Sequence, residues 1–220
     1  MNFEAQRRQM VSDQLLARGI RDPRVLAAFS RVPRNLFVPE DYRDVSYTDR
    51  PLPIGEGQTI SQPYIAALMT EWLAPAAGAR VLEIGTGCGY QTAILAELDA
   101  RVYSIERIPE LADRTERLLS SLGYSHVKIR VGDGSLGWPE QAPFDGILVT
   151  AAAPAFPRPL LDQLAVNGRL LIPIESDVRQ TLTLAERSSS GFVRKEICSC
   201  LFVPLIGAHG WQEGHAAPEE

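Results

Sequence analysis

A chain of 220 residues, 45% hydrophobic and 22% charged, is long enough to bury one substantial core and ordinary enough in composition to be globular. A net charge of −5 argues against broad binding to nucleic acid, which wants a basic footprint, and no apolar run approaches the length of a membrane span. The charged N-terminus lacks the apolar core of a signal peptide, and three cysteines make no disulfide framework, so a reducing, cytoplasmic setting is expected.

The first third reads as helical. Phe3, Met10, Val11, Leu15 and Leu16 recur at roughly helical spacing between Phe3 and Arg18, and Gly19 is a stop signal. Asp22 followed by Pro23 makes an N-cap and first-turn pair for a second helix through Phe29. Val32 to Gly57 is punctuated by Pro33, Pro39, Pro51 and Pro53, but its aromatic and aliphatic content favours an ordered covering segment. A helix is expected from Gln62 to Leu73.

From Arg80 onward strands and helices alternate. Strands are predicted at Val81–Ile84, Arg101–Ile105, His126–Val131, Phe144–Val149 and Arg169–Ile174, with helices to Leu98, over Pro109–Leu122 and over Pro157–Ala165. Gln180 to Glu186 alternates apolar with polar, turns at Ser188–Gly191 and returns over Phe192–Leu205, a hairpin on the edge of a parallel sheet. The expectation is a single domain over 1–220. It divides into an N-terminal cover with a substrate loop (1–79), a ligand-binding core (80–175), a hairpin (176–207) and a loose, polar tail (208–220).

The organising stretch is RVLEIGTGCGY, Arg80 to Tyr90. Strand, glycine turn, helix is the first unit of a doubly wound nucleotide-binding sheet, in which backbone approaches a ligand beyond the strand ends. Gly87 and Gly89 are two residues apart, whereas dinucleotide dehydrogenases place the third glycine three after the second. Alternating glycines preceded by Glu83 resemble the first motif of S-adenosylmethionine-dependent methyltransferases. A glycine turn for some other ligand stays open at this point. Glu106, about 20 residues past the turn, sits where an acid reaches ribose hydroxyls. Asp133 could accept from an adenine amino group or simply shape a Gly-Asp-Gly turn. His126, His209 and His215 have no metal-ligand spacing, and Cys198-x-Cys200 lacks a second pair, so no metal is expected.

Longer motifs make the resemblance specific. They are Val32-Pro33-Arg34 with Phe37-Val38-Pro39-Glu40, LPIGEGQTISQPY (Leu52 to Tyr64), VLEIGTGCGYQTAILA (Val81 to Ala96), Gly132-Asp133-Gly134, Gly137-Trp138-Pro139, APFDGILVTAAAP (Ala142 to Pro154) and Phe202-Val203-Pro204-Leu205. In that order, from the N-terminal helix to about Leu205, they resemble a bacterial protein-L-isoaspartate O-methyltransferase. The resemblance implies an α/β fold with a Rossmann-like, doubly wound, mainly parallel sheet of about seven strands. An antiparallel C-terminal edge would have its last two strands switched in order relative to other methyltransferases.

It also implies methyl transfer from S-adenosylmethionine, leaving S-adenosylhomocysteine, to the α-carboxylate of L-isoaspartyl residues in damaged proteins and peptides, the first step of repair. Ser61 would lie beside the reacting carboxylate. Cofactor contacts are expected at Thr59, Ile60, Ser61, Glu83, Gly85, Thr86, Gly87, Cys88, Gly89, Glu106, Arg107, Asp133 and Gly134, and substrate contacts at Ser61, Tyr64, Phe202, Val203 and Leu205. Cys88 stands where the family usually has serine.

An ionised carboxylate is already a nucleophile, so the reaction needs alignment and no general base. Ser61 could donate to one carboxylate oxygen, or only cap the helix that follows. Isoaspartyl proteins would be the only macromolecular partners, with a monomer favoured. The competing readings are a same-fold methyltransferase acting on a small carboxylic acid and a peptide-binding module without turnover, with a nicotinamide dehydrogenase more distant.

Overall fold

The structure, a computed structural model, describes residues 2–176 and 179–215. Helix α1 (Phe3–Gln9) continues through a π turn (Met10–Leu15) and a 3-10 turn (Leu16–Arg18) to Gly19, whose φ of 102° ends it. The helix expected over 3–18 is therefore three short pieces in series. Helix α2 (Pro23–Arg31) starts as its sequence predicts, with Asp22 accepting from the Arg24 backbone N–H.

The proline-rich passage holds two 3-10 segments (Arg34–Leu36 and Glu40–Val45) and a two-stranded antiparallel hairpin, β1 (Leu52–Gly55) and β2 (Gln58–Ile60). Strands this short show too little alternation to read from sequence. The hairpin turns through Glu56 and Gly57, both at positive φ, and delivers Ile60 and Ser61 to helix α3 (Pro63–Leu73).

The central sheet contains β3 (Arg80–Ile84), β4 (Arg101–Glu106), β5 (Lys128–Val131), β6 (Phe144–Val149), β7 (Leu164–Glu175), β8 (Gln180–Ser188) and β9 (Gly191–Cys200), with helices α4 (Tyr90–Glu97), α5 (Pro109–Ser121) and α6 (Arg158–Asp162) between them. Its order is β5-β4-β3-β6-β7-β8-β9. The first five run parallel and the last two antiparallel. Strand order reverses between β3 and β6, and that crevice is where doubly wound sheets bind ligands. The closing strands lie in chain order, β7-β8-β9, as a hairpin.

Two boundaries differ from expectation. Helix α6 has five residues, because β7 begins at Leu164 and accommodates Asn167 at φ 64° beside a register shift opposite β6. Strand β9 ends at Cys200, and Phe202–Leu205 leaves the edge to cross the carboxyl ends of the sheet, bridging Pro204 to Ala152 in parallel.

Sheet alternation sorts the core. Leu82 and Ile84 pack with Phe144, Leu160 and Leu170, while Val81 faces Leu95 and Val102. The N-terminal cover packs Phe29, Phe37 and Ile54 against Tyr90 and Ile94 of α4, with Phe29 and Phe37 edge-on to the Tyr90 ring. Full burial of such side chains contributes roughly 1.5–3 kcal/mol each. The cover is thereby anchored directly over the glycine turn.

Candidate active site

Beyond Ile84 the chain turns at Gly85, with φ at 91°, and its N–H donates to Ile105 O at 2.9 Å. A Cβ there would lie 2.5 Å from Thr150 Oγ1, which itself donates to the carbonyls of Ile84 (3.0 Å) and Gly85 (2.9 Å). Gly87 N–H donates to Glu106 Oε2 at 2.8 Å, and Glu106 Oε1 accepts from Ile108 N–H at 2.9 Å. The carboxylate that ends β4 thus shapes the turn that ends β3.

A cavity of about 590 Å³ lies at these strand ends. Gly85, Gly87, Ile105, Glu106, Ile108 and Gly134 form its floor and side, and Gly57–Thr59 of the first hairpin closes another side. Val203–Ile206 and Glu213–His215 complete the lining. A smaller cavity of about 40 Å³ adjoins it, sharing Thr59, Gly85, Gly87 and Thr150, and is lined further by Ile60, Ser61, Thr86, Cys88 and Tyr90. The two spaces meet at the glycine turn.

Ser61 sits in the smaller space. Helix α3 is capped at Gln62 with no side-chain cap bond, and among the described residues Ser61 Oγ has no hydrogen-bond partner. The capping alternative for Ser61 is therefore removed. Its carbonyl accepts from Arg34 Nη2 at 2.8 Å.

Several expected residues lie elsewhere. Glu83 lines neither cavity. Alternation turns it away from Ile84, and it is fully buried beneath α4, with Oε2 accepting from Thr92 Oγ1 (2.5 Å) and Ser104 Oγ (2.7 Å). Ser104 Oγ also pairs with Thr86 Oγ1 at 2.7 Å, so Glu83 braces the turn from behind. Burial pushes its carboxyl up to about 7. Gly89 caps α4 and packs on α5, where a Cβ would stand 2.6 Å from Thr115 Cγ2. Its glycine is required by packing.

Tyr64 faces away too, its ring under the Arg18 guanidinium at 3.5 Å. Phe202 is buried, with its N–H and carbonyl both bonded to the Gln180 side chain. Val203 and Leu205 do line the large cavity, but Val203 O accepts from Ala152 N, Leu205 N donates to Ala152 O and Leu205 O accepts from Trp211 N. Most of the backbone groups expected to hold a peptide are thus satisfied within the chain.

Asp133 lines neither cavity, although its neighbour Gly134 does. Its Oδ1 accepts from Ser135 N (2.8 Å) and Oγ (2.7 Å), and its Oδ2 from Ala208 N (2.7 Å). The tail expected to be loose is therefore docked as far as His215. His209 N donates to Ser135 Oγ at 3.0 Å, the Trp211 and His215 rings stack at 3.7 Å, and His215 Nε2 lies 2.9 Å from Glu175 Oε1. Residues 216–220 of that tail lie outside the described residues. Arg107 lines the cavity and pairs loosely with Glu213 at 3.6 Å. Cys88 is buried, and burial pushes its thiol up to about 11, so it stays protonated at neutral pH.

Sequence reasoning did not pick out Thr150 as a cavity residue, nor Arg34, nor the Glu175–His215 pair. Thr150 follows the fourth strand directly, and that position was the available signal. Nothing in the spacing links Glu175 to His215.

Comparison with known proteins gives the family and the fold. Residues 5–210 match the family model described as Protein-L-isoaspartate(D-aspartate) O-methyltransferase (PCMT). A protein-L-isoaspartate O-methyltransferase of Trichlorobacter lovleyi is 54% identical over 213 residues, covering 96% of this chain and 98% of that one. A solved protein-L-isoaspartate O-methyltransferase superposes with a TM-score of 0.85 at 30% identity, over 93% of this chain and 67% of its own. A Plasmodium falciparum structure assigned to the same activity, in complex with S-adenosyl-L-homocysteine, gives 0.79 at 28% identity, over 94% and 99%. The chain belongs to the protein-L-isoaspartate(D-aspartate) O-methyltransferase family.

Proposed function

We propose that this protein transfers a methyl group from S-adenosylmethionine to the α-carboxylate of L-isoaspartyl residues in damaged proteins and peptides, starting their repair to aspartyl. One observation carries the reading beyond family membership. Ser61, whose hydroxyl has no partner among the described residues, lines a small space that joins a nucleoside-sized cavity at the glycine turn.

The large cavity fits the cofactor. Its turn glycines 85 and 87, both at positive φ, line it with backbone, and Gly85 packs so closely on Thr150 that a Cβ would meet Thr150 Oγ1. Glu106 keeps lone pairs for ribose hydroxyls while holding two backbone N–H groups. Ile105, Ile108 and Gly134 offer apolar walls for an adenine ring. When bound, S-adenosylmethionine supplies an electrophilic methyl carbon on a sulfonium leaving group.

The chain's own residues align and exclude. Ser61 donates a hydrogen bond to one oxygen of the acceptor carboxylate and so aims the other towards the larger cavity. The acceptor is ionised near neutral pH, its pKa being about 3.5–4. No side chain has to take a proton. Orientation of this kind contributes up to roughly 7–11 kcal/mol. Val203–Ile206 and the docked tail cover the space and limit access of water to the reacting atoms.

Three unpaired cysteines support a reducing, cytoplasmic setting. Among the described residues no helix is long and apolar enough to cross a membrane.

The function is tested with labelled S-adenosylmethionine and two peptides that differ only in an isoaspartyl or an aspartyl linkage. Base-labile label should accumulate on the isoaspartyl peptide alone. Equal labelling of both, or transfer only to small carboxylic acids, would remove the proposal.

A further inference from the structure

Arg34 is fully buried, yet among the described residues no carboxylate stands within ion-pair distance of it. Its Nε donates to Ser46 O at 2.7 Å and its Nη2 to Ser61 O at 2.8 Å. The guanidinium lies 4.9 Å from the centroid of the Tyr90 ring, and Nη1 is buried without a partner. Buried guanidinium groups are ordinarily paired, because desolvating a lone charge is costly. A stack on one tyrosine and two carbonyls only partly offsets that cost.

The position of this charge is informative. Tyr90, Cys88 and Tyr47 are the groups within its electrostatic reach, and the first two line the smaller cavity. Its two bonds end on the segment before the first hairpin and on Ser61 itself. Because a guanidinium is a rigid planar fork, the Nε bond to Ser46 O sets its orientation and the Nη2 bond then holds the Ser61 carbonyl at a fixed place. The serine hydroxyl has no tether of its own, so the held backbone sets where the side chain starts, and its staggered rotamers are the positions open to the hydroxyl.

We propose that Arg34 is the positioning residue for Ser61: it clamps the Ser61 carbonyl and gives the acceptor cavity a positive bias that the acceptor carboxylate completes. This rests on the reading of Ser61 as donor to that carboxylate. Packing alone would need the volume of the side chain but neither its fork nor its charge.

The test compares wild type, Arg34→Lys, Ser61→Ala and the double variant. Each is measured for single-turnover methyl transfer to an isoaspartyl peptide, peptide KM, calorimetric Kd for S-adenosylhomocysteine, and Tm. Arg34→Lys should lower the transfer rate about 10- to 100-fold, the scale of a small misplacement, with cofactor Kd within about twofold. In the Ser61→Ala background the same change should cost less than about threefold, since residues acting as a unit are not additive. Losses that multiply in the double variant, or an equal loss of cofactor affinity, overturn the proposal.

An Arg34→Lys protein that fails to fold also overturns it, because the guanidinium would then serve stability. Arg34→Met removes charge as well as fork and should raise peptide KM about tenfold above that of Arg34→Lys. Equal KM values contradict the positive bias. A crystal structure of Arg34→Lys with S-adenosylhomocysteine reads the clamp without turnover, and an unmoved Ser61 carbonyl contradicts it. The wild-type assay separately reports the function, so a failure there is distinct from a failure of Arg34.

Discussion

Glu106 and Gly87 are joined by a 2.8 Å hydrogen bond from the glycine N–H to the carboxylate, tying the end of β4 to the middle of the turn that follows β3. The side chain proposed to meet the ribose therefore also preorganises the loop beneath it. Glu106→Gln keeps the volume but loses the charge-assisted bonds and one acceptor oxygen. S-adenosylhomocysteine binding should weaken roughly 10-fold, in line with about 1–3 kcal/mol for hydrogen bonds to charged groups. Calorimetry measures this directly, and an unchanged Kd would show that Glu106 serves the loop alone.

Ser61→Ala separates chemistry from folding. Because α3 starts at Gln62 without a side-chain cap, loss of the hydroxyl should move Tm by no more than about 1 °C. Methyl transfer should fall about 10- to 100-fold, the scale of removing one aimed donor. A parallel fall in Tm and rate would return Ser61 to a structural role.

Glu83 gives stability a pH dependence. Burial raises its carboxyl from 4.5 to about 7, so the folded state holds the proton more tightly than the unfolded chain. Its contribution is fully present below about pH 4.5 and is lost as pH rises through about 7. Glu83→Gln abolishes this slope. The stability difference between wild type and variant should shift by roughly 2–3 kcal/mol between about pH 5 and 8 in favour of the variant. Urea denaturation at the two pH values reads it, and parallel curves would contradict the raised pKa. Cofactor affinity should change less than about threefold, since Glu83 lies outside both cavities.

Removing the chain after Ile206 strips Asp133 Oδ2 of the Ala208 N–H and Leu205 O of the Trp211 N–H, and takes away Glu213–His215 from the cavity wall. S-adenosylhomocysteine affinity should fall about 5- to 10-fold and Tm by a few degrees, as expected for about 1–2 kcal/mol of lost wall and backbone bonding. A truncated protein with unaltered affinity would show the docked tail to be irrelevant to the site.

The parallel core is readable because short apolar runs, buried on both faces, alternate with longer helical stretches from Arg80 to Val149. Gly85 and Glu106 were legible for the same reason, each lying just at a strand end. Glu83 misleads although alternation alone places it opposite Ile84. Its acidity beside a glycine motif suggests a ligand contact, whereas the structure directs it to Thr92 and Ser104. The β1–β2 hairpin is hidden by its length and by Pro51 and Pro53. The docked tail is hidden because the backbone N–H groups of Ala208 and His209 make its bonds to Asp133 and Ser135, and composition carries no trace of those. Arg34 is legible only as part of a motif, and its burial against Ser61 is not, because arginine is ordinarily a surface residue.

The central claim is that the protein aligns a carboxylate that is already charged and moves no proton. His215, which lines the cavity and pairs with Glu175, is the available alternative base. The most direct measurement is the single-turnover rate of methyl transfer to a saturating isoaspartyl peptide across about pH 6 to 8.5, in light and heavy water. The account predicts a flat profile and a solvent isotope effect of about 1. A rate that climbs about tenfold per pH unit at the acid end of that range, with an isotope effect of about 2 or more and both abolished by His215→Ala, would contradict it.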